Sequence, residues 1–462
     1  MKRRLCAVLA ACLLLCGCNL QLPQGAQPSD PSSDSPSAAE KADALVLGYL
    51  QGDALHPYRA ASDINARIAA LMYQGLTVPD QNDMPQLCLA DRAEYDGDKC
   101  ITVHLSPDAR FSDGAAVTAR DVQHSLSLAQ RSACYAEMTA AIERLQVQGD
   151  TLHFYLRRRS YLPQALLAFP IVSAATDRGS GPYIRESETT IAAIDPSCSL
   201  QRITLRGYSD LSALRRARGC GEISLWHDEL QEGFVPRLSG AAEQMPLSVL
   251  TVLGFGSKGE MSDPRLRQLI SAAIDRTALA NGAFEGYARP YYSLFSPAVQ
   301  APAVTKEEKL QDIVAKLKEL GYNGDGYAPK TLRLSLIVCR DSAFYQAAAR
   351  QLADRLSLLS VTVTVRALSA QQYAEALRAG DFDLYLGEIG LPPDWDLTAA
   401  LDAASASLYA AGDAESFCTH FAGELPFAPL LRRCGMVSYV RNLQHTAPTA
   451  LQPFPQIQQW KF

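Results

Sequence analysis

Between residues 331 and 389 the chain alternates element types in a way that leaves few folds open. Residues 331–339 place Leu332, Leu334, Leu336 and Val338 on one face, as a strand does. Residues 344–359 carry a helical pattern, 361–365 a short β-branched run, and Ser369 with Gln372 a capping box that opens a helix through Arg378. Residues 382–389 are again strand-like. A strand–helix–strand–helix–strand order with short connections makes a parallel sheet with right-handed crossovers. Ligands of such lobes sit at the carboxyl ends of the strands. The loop from Glu388 to Asp396 is therefore expected to form part of a cleft wall.

A second stretch tests a rival assignment. Ser248 to Phe255 is an apolar β-type run, followed by Gly254-x-Gly256-x-x-Gly259 and a helix. By letters this is a dinucleotide fingerprint, in which the third glycine lies inside the helix and phosphate sits on its N-terminus. Ser262-Asp263-Pro264 argues against it, because proline at the first helical position puts the cap at Asp263, well past Gly259. Asp275 and Glu285 also fall within or just after the helix rather than at the end of a second strand.

The N-terminus and composition narrow the function class. Lys2, Arg3 and Arg4 precede an apolar run from Leu5 to Cys16, too short to span a bilayer, as in an export signal of residues 1–17. Leu15-Cys16-Gly17-Cys18 resembles a bacterial lipobox, which makes Cys18 the expected lipidated residue. Residues 18–42 are rich in Pro, Ser, Gln and Asp and read as a disordered tether. The net charge is −6, or about −9 once the three basic residues leave with the signal, and no basic cluster suggests nucleic acid. Eight of the twelve cysteines follow Cys18. None forms a C-x-x-C pair for structural zinc, and Cys88–Cys100, Cys198–Cys220 and Cys418–Cys434 are the local pairs an oxidising compartment would favour. Seven scattered histidines have no ligand spacing, and no G-x-S-x-G, H-E-x-x-H or Walker A motif occurs. Neither catalysis nor a cofactor is expected.

In the first third of the chain, Asp63–Leu71 reads as a short helix, 89–95 and 100–105 as a hairpin about Asp96-Gly97, and Thr118 as the cap of a helix with Val122, Ser125, Leu126 and Ala129 inward. Thr305 and Glu308 look like a capping box for a helix reaching Gly321. Leu55-x-Pro57-Tyr58, Tyr73-x-Gly75-Leu76-Thr77, Pro85-x-Leu87-x-Leu89-Ala90, Phe111-Ser112-Asp113-Gly114 and Val117-Thr118-Ala119-x-Asp121-Val122 together resemble the extracytoplasmic solute-binding family 5. Gly181-Pro182-Tyr183, Asp263-Pro264-x-x-Arg267, Leu320-Gly321-Tyr322 and Phe382-Asp383-Leu384 extend the likeness over nearly the whole mature chain.

That resemblance implies an α/β, two-lobed periplasmic-binding-protein-like fold with an extra subdomain and lobes joined by crossing strands. Lobe I would comprise 43–84, 173–255 and 431–462, the extra subdomain 85–172, and lobe II 256–430. It gives residues 247–255 the role of a connector between lobes, with the glycines supplying a hinge. It implies a monomeric binding lipoprotein of a dipeptide, oligopeptide or nickel ABC importer, whose partners are a solute, permease subunits and, through its lipid, the membrane. The alternatives are a metal chelate or oligosaccharide as the solute, or a lipid-anchored sensor without transport. Peptide-binding members carry a Trp followed by an Asp for the peptide ammonium. Here the matching carboxylate is Asp394 or Glu388, unless Asp394 and Asp396 only cap a helix near Leu397. Tyr58, Asn65, Trp226, Tyr291, Tyr292 and Trp395 complete the expected ligand contacts. The 401–426 segment is shorter than in other members, which reduces one cleft-lining region.

Overall fold

A computed structural model describes residues 44–80, 82–231, 233–236, 240–324 and 330–462. The expected signal, tether and Cys18 lie outside the described residues. Within them, no helix is long and apolar enough to cross a membrane.

The central feature is an 11-stranded sheet. At one end, Thr362–Leu368, Arg333–Cys339 and Leu384–Gly390 are parallel neighbours, as the alternating pattern required. At the other end Leu45–Leu50 lies parallel to Arg202–Tyr208. Between these ends run two long antiparallel strands, Ala241–Phe255 and Phe427–Tyr439. The first pairs with Leu384–Gly390 through Val249 to Phe255, and the second pairs with Leu225–Asp228 through Met436 to Tyr439. A separate four-stranded sheet, Ala90–Tyr95, Cys100–Leu105, Thr151–Leu156 and Ile142–Gln148, carries the Asp96-Gly97 hairpin.

The crossing strands feed two different cores. Met245, Leu247 and Val437 pack with Leu45, Leu47, Ile203 and Trp460, while Leu250 to Phe255 and Leu430–Leu431 pack with Leu336, Leu352 and Leu386. A third core fills the four-stranded sheet and its helix Ala119–Ala129. Distinct apolar clusters of this kind are what a two-lobed chain with a subdomain builds.

Local signals held where both partners were close in sequence. Ser369 and Gln372 cap Ala370–Ala379 reciprocally, and Gly380 ends it in the left-handed region at φ 66°. The Asp121 carboxylate accepts from the Thr118 amide at 2.9 Å and its hydroxyl at 2.6 Å. Asp263 accepts from the Arg265 amide at 2.9 Å, and Pro264 is the first helical residue. The helix stops earlier than the motif implied, because Asp275 caps a second helix, Arg276–Gly282.

Three expectations are corrected. Thr305 and Glu308 do not cap: the helix Leu310–Glu319 starts after Lys309, the Thr305 hydroxyl accepts from the buried Arg276 at 3.1 Å, and Glu308 pairs with Lys316 and Lys306. None of the eight described cysteines is in a disulfide, so none of the three local pairs is bridged. The 254–259 glycines are not a hinge. A Cβ at Gly254 would lie 1.8 Å from the Tyr385 ring, and one at Gly256 would lie 2.5 Å from the Phe382 carbonyl oxygen. These two glycines let strands pack closely, and Gly259 serves a turn at φ 60°. The irregularity in the connector falls instead between Pro246 and Leu250 and between Thr251 and Val252, where the register with Phe427–Tyr439 shifts.

Gly254→Ala is therefore expected to cost about 1–3 kcal/mol by overpacking. Gly390→Ala, with open space around it, should stay within about 0.5 kcal/mol of the parent. Urea unfolding of both variants checks this.

Candidate functional site

The parallel strand Leu384–Gly390 runs into a loop, residues 391–397, that is tied to the crossing strand by the Leu391 amide on the Ser248 carbonyl at 2.8 Å. Two prolines and a left-handed Trp395 (φ 56°) turn it sharply, the Trp395 amide closing on Pro392 O at 2.8 Å. This conformation buries three side chains at once: Asp394, Trp395 and Asp396 are 3, 4 and 6 % exposed.

Trp395 is held on three sides. Tyr291 lies 5.7 Å away ring to ring, the Arg432 guanidinium sits 5.5 Å over the indole, and the Tyr409 hydroxyl donates to the Trp395 carbonyl at 3.0 Å. Arg432 in turn pairs with the buried Asp83 and donates to the Leu247 carbonyl at 3.0 Å. Asp83 comes from the turn before Pro85–Leu87, so this pair joins that turn to the crossing strands.

The two carboxylates find their partners on the four-stranded subdomain. The Ser160 hydroxyl donates to Asp394 at 3.1 Å, and Arg158 pairs with Asp396. Tyr161 stacks edge-on against Phe295 at 4.8 Å and Tyr409 at 4.9 Å, and the Arg159 guanidinium donates to the Ala411 carbonyl at 3.4 Å. Four consecutive residues thus lean on the loop and the helix Ala403–Ala411 beyond it. Burial pushes the Asp394 carboxyl above its ordinary value of 3.8, against the opposing pull of Ser160 and Arg158. Asp396 also accepts the Thr398 amide at 2.9 Å, just ahead of the short turn Thr398–Ala400, while it holds its ion pair.

Glu388 belongs to a neighbouring network. It accepts from Arg433 at 2.6 Å and from Tyr345, whose hydroxyl lies 3.0 Å from that of Thr251. Arg433 also donates to the carbonyls of Glu229 and Leu230 at 3.0 and 3.1 Å, clamping the segment that enters the crossing strand. Asp63 stands beside the Arg67–Glu229 pair, and desolvation by its neighbours raises its carboxyl.

The structure brings Tyr291, Asp394 and Trp395 into one cluster. The other expected contacts have their own surroundings. Tyr58 is buried with its hydroxyl on the Pro170 carbonyl, and Asn65 spends its amide on Leu50 N, Leu50 O and Asp53 O at 2.9–3.1 Å. Trp226 packs with Leu214, Ala217 and Ile223. Tyr292 donates to Glu307 at 2.8 Å beneath the Arg276 guanidinium. A cavity of about 560 Å³ opens nearby, with Asp83 and Pro393 on its wall. That volume suits a small ligand, although Asp394 and Trp395 do not line it.

Sequence reasoning missed Arg158, Ser160, Asp83 and Arg432. Two signals were visible: the arginine run 157–159 directly after a strand, and Arg432-Arg433 within an otherwise apolar strand, where a charge is buried only if paired.

Residues 197–407 match the model described as bacterial extracellular solute-binding proteins, family 5 Middle. Over that middle stretch the chain is similar to family 5. A comparison with the curated proteins found no match. Among solved structures, the unliganded open form of the periplasmic murein tripeptide-binding protein MppA is similar at 18 % identity, covering 92 % of this chain and 98 % of that one, with a TM-score of 0.74. The nickel ABC transporter from Bacillus halodurans is similar at 17 % identity, with 91 % and 99 % covered and a TM-score of 0.72. The ABC transporter substrate-binding protein CtaP from Listeria monocytogenes follows at 16 % identity, 91 % and 99 % covered, and a TM-score of 0.63. At such identities these likenesses establish the fold.

Because the folded-state pKa of Asp394 is raised, its contribution to stability is full below 3.8 and is lost as pH rises through the raised value. Asp394→Asn is expected to unfold at an equal or higher temperature than the parent at neutral pH, with the advantage vanishing in acid. Calorimetric scans across pH check the sign.

Proposed function

We propose that the protein is the solute-binding lipoprotein of an ABC importer and captures a short peptide or similar small polar solute between its lobes. The observation that carries this reading is the buried carboxylate pair Asp394 and Asp396 at the end of a parallel strand, facing polar groups of another part of the fold. Burying a carboxylate costs several kcal/mol unless it is paired, and a site that selects a charged solute is one reason to hold such groups there. Tyr291 and Trp395 give the same place an aromatic wall. Tyr58, Asn65, Trp226 and Tyr292 then serve packing, and Glu388 serves the clamp on the crossing strand.

In this reading the lobes are 43–84, 173–255 and 431–462 against 256–430, with 85–172 as the subdomain, and the separate cores support that division. Lipid on Cys18 would hold the protein beside its permease, with residues 18–42 giving a reach of roughly 30 Å. Closure about the crossing strands would bury the solute, and the permease would distinguish the two forms by differential affinity. The similar structures include a murein tripeptide-binding protein and a nickel ABC transporter. The carboxylates and aromatic wall favour the peptide-like solute for this chain.

Native mass spectrometry of the freshly purified protein tests this. The expected result is a co-purifying small solute that is released on denaturation and carried less by Asp394→Ala. A parent protein that carries nothing and shows no thermal shift with a peptide pool would contradict it, and would favour a sensor without transport.

A further inference from the structure

The two buried carboxylates have no cation of their own side. The loop that carries them reads Leu391-Pro-Pro-Asp-Trp-Asp-Leu397, without lysine or arginine. Arg432, beside Trp395, is committed to Asp83. Among the described residues the one cation within ion-pair distance of either carboxylate is Arg158, which reaches Asp396 from the segment following Thr151–Leu156. Ser160, two residues further on, supplies the hydroxyl on Asp394. A guanidinium and a donor two residues apart, followed by the Tyr161 ring against Phe295 and Tyr409, enter this place as an extended ligand with a cationic end would.

The pair is unequal in a telling way. The Asp396 side chain is 2 % exposed, whereas that of Arg158 is 44 % exposed, and Asp396 is its only ion-pair partner among the described residues. Arg158 can leave for water without stranding a charge. Asp396 and Asp394 cannot, and need another cation in exchange. We propose that Arg158 is a specificity-determining residue: it occupies the Asp394–Asp396 site in the absence of solute, and a ligand must present an ammonium or guanidinium group to displace it. This rests on the inter-lobe solute reading and adds to it both the charge of the ligand end and a built-in competitor. A neutral or anionic solute would leave the carboxylates unpaired on displacing Arg158, so it is rejected by the same device.

An internal competitor lowers the apparent affinity by the fraction of molecules whose site is free. Removing it has the opposite sign from removing a ligand contact. Titration calorimetry of the parent, Arg158→Ala and Arg158→Lys with trialanine, N-acetyl-trialanine and methylguanidinium chloride reads this sign. The expected result is that Arg158→Ala binds trialanine or methylguanidinium about five- to tenfold more tightly than the parent, that Arg158→Lys restores parental affinity, and that the acetylated peptide binds none of the three. Equal or weaker binding by Arg158→Ala, equal binding of the acetylated peptide, or no binding of either cation to any of the proteins would overturn the assignment. The identity of the co-purified solute separates the two levels: a solute without a cationic group overturns the competitor while leaving solute binding intact.

Discussion

The ladder between Ala241–Phe255 and Phe427–Tyr439 is the constraint on which the rest depends. Its two ends lie in different cores, so one pair of strands has to satisfy two packings at once. A regular antiparallel pair would hold one twist throughout. The register shifts between Pro246 and Leu250 and between Thr251 and Val252 let each half follow its own lobe. The charged side chains of neighbouring positions then fix what surrounds the crossing. Arg432 gathers Asp83, Leu247 and Trp395, while Arg433 gathers Glu388, Glu229 and Leu230. Two successive arginines in one strand point to opposite faces, so the ladder is fastened on both.

Much of residues 256–430 was legible because the signals there are local. The Ser369–Gln372 box, the Asp263-Pro264 start and the alternating leucines of 332–338 each need only residues a few positions apart. The failures share a different cause. Thr305 and Glu308 stand at capping distance, but Arg276, far off in sequence, takes the threonine hydroxyl, and two lysines take the glutamate. The glycines at 254 and 256 looked like freedom of the backbone, and the reason for them is a tyrosine ring and a carbonyl more than 120 residues away. The site was half legible on the same grounds. Strand order pointed to the loop from Glu388 to Asp396, and the family resemblance to Asp394 or Glu388 within it. The loop's partners Ser160, Arg158 and Arg432 come from distant parts of the chain that no spacing rule connects.

Holding Asp394 and Asp396 out of water works against stability, and proteins commonly retain such groups where function needs them. Here the conflict is eased by a subdomain segment whose arginine keeps much of its surface in solvent. In the proposed reading the same arrangement would link binding to shape. Whatever replaces Arg158 and Ser160 also replaces contacts between the subdomain and the 391–397 loop, so occupancy and the fit of the two parts change together.

A crystal structure of the protein purified with its own solute is the most direct test. The account predicts solute density against the 391–397 loop, with a donor group on Asp394 or Asp396 and Arg158 turned away into solvent. Density confined to the cavity beside residues 446–458, with the Arg158–Asp396 pair intact, would contradict it.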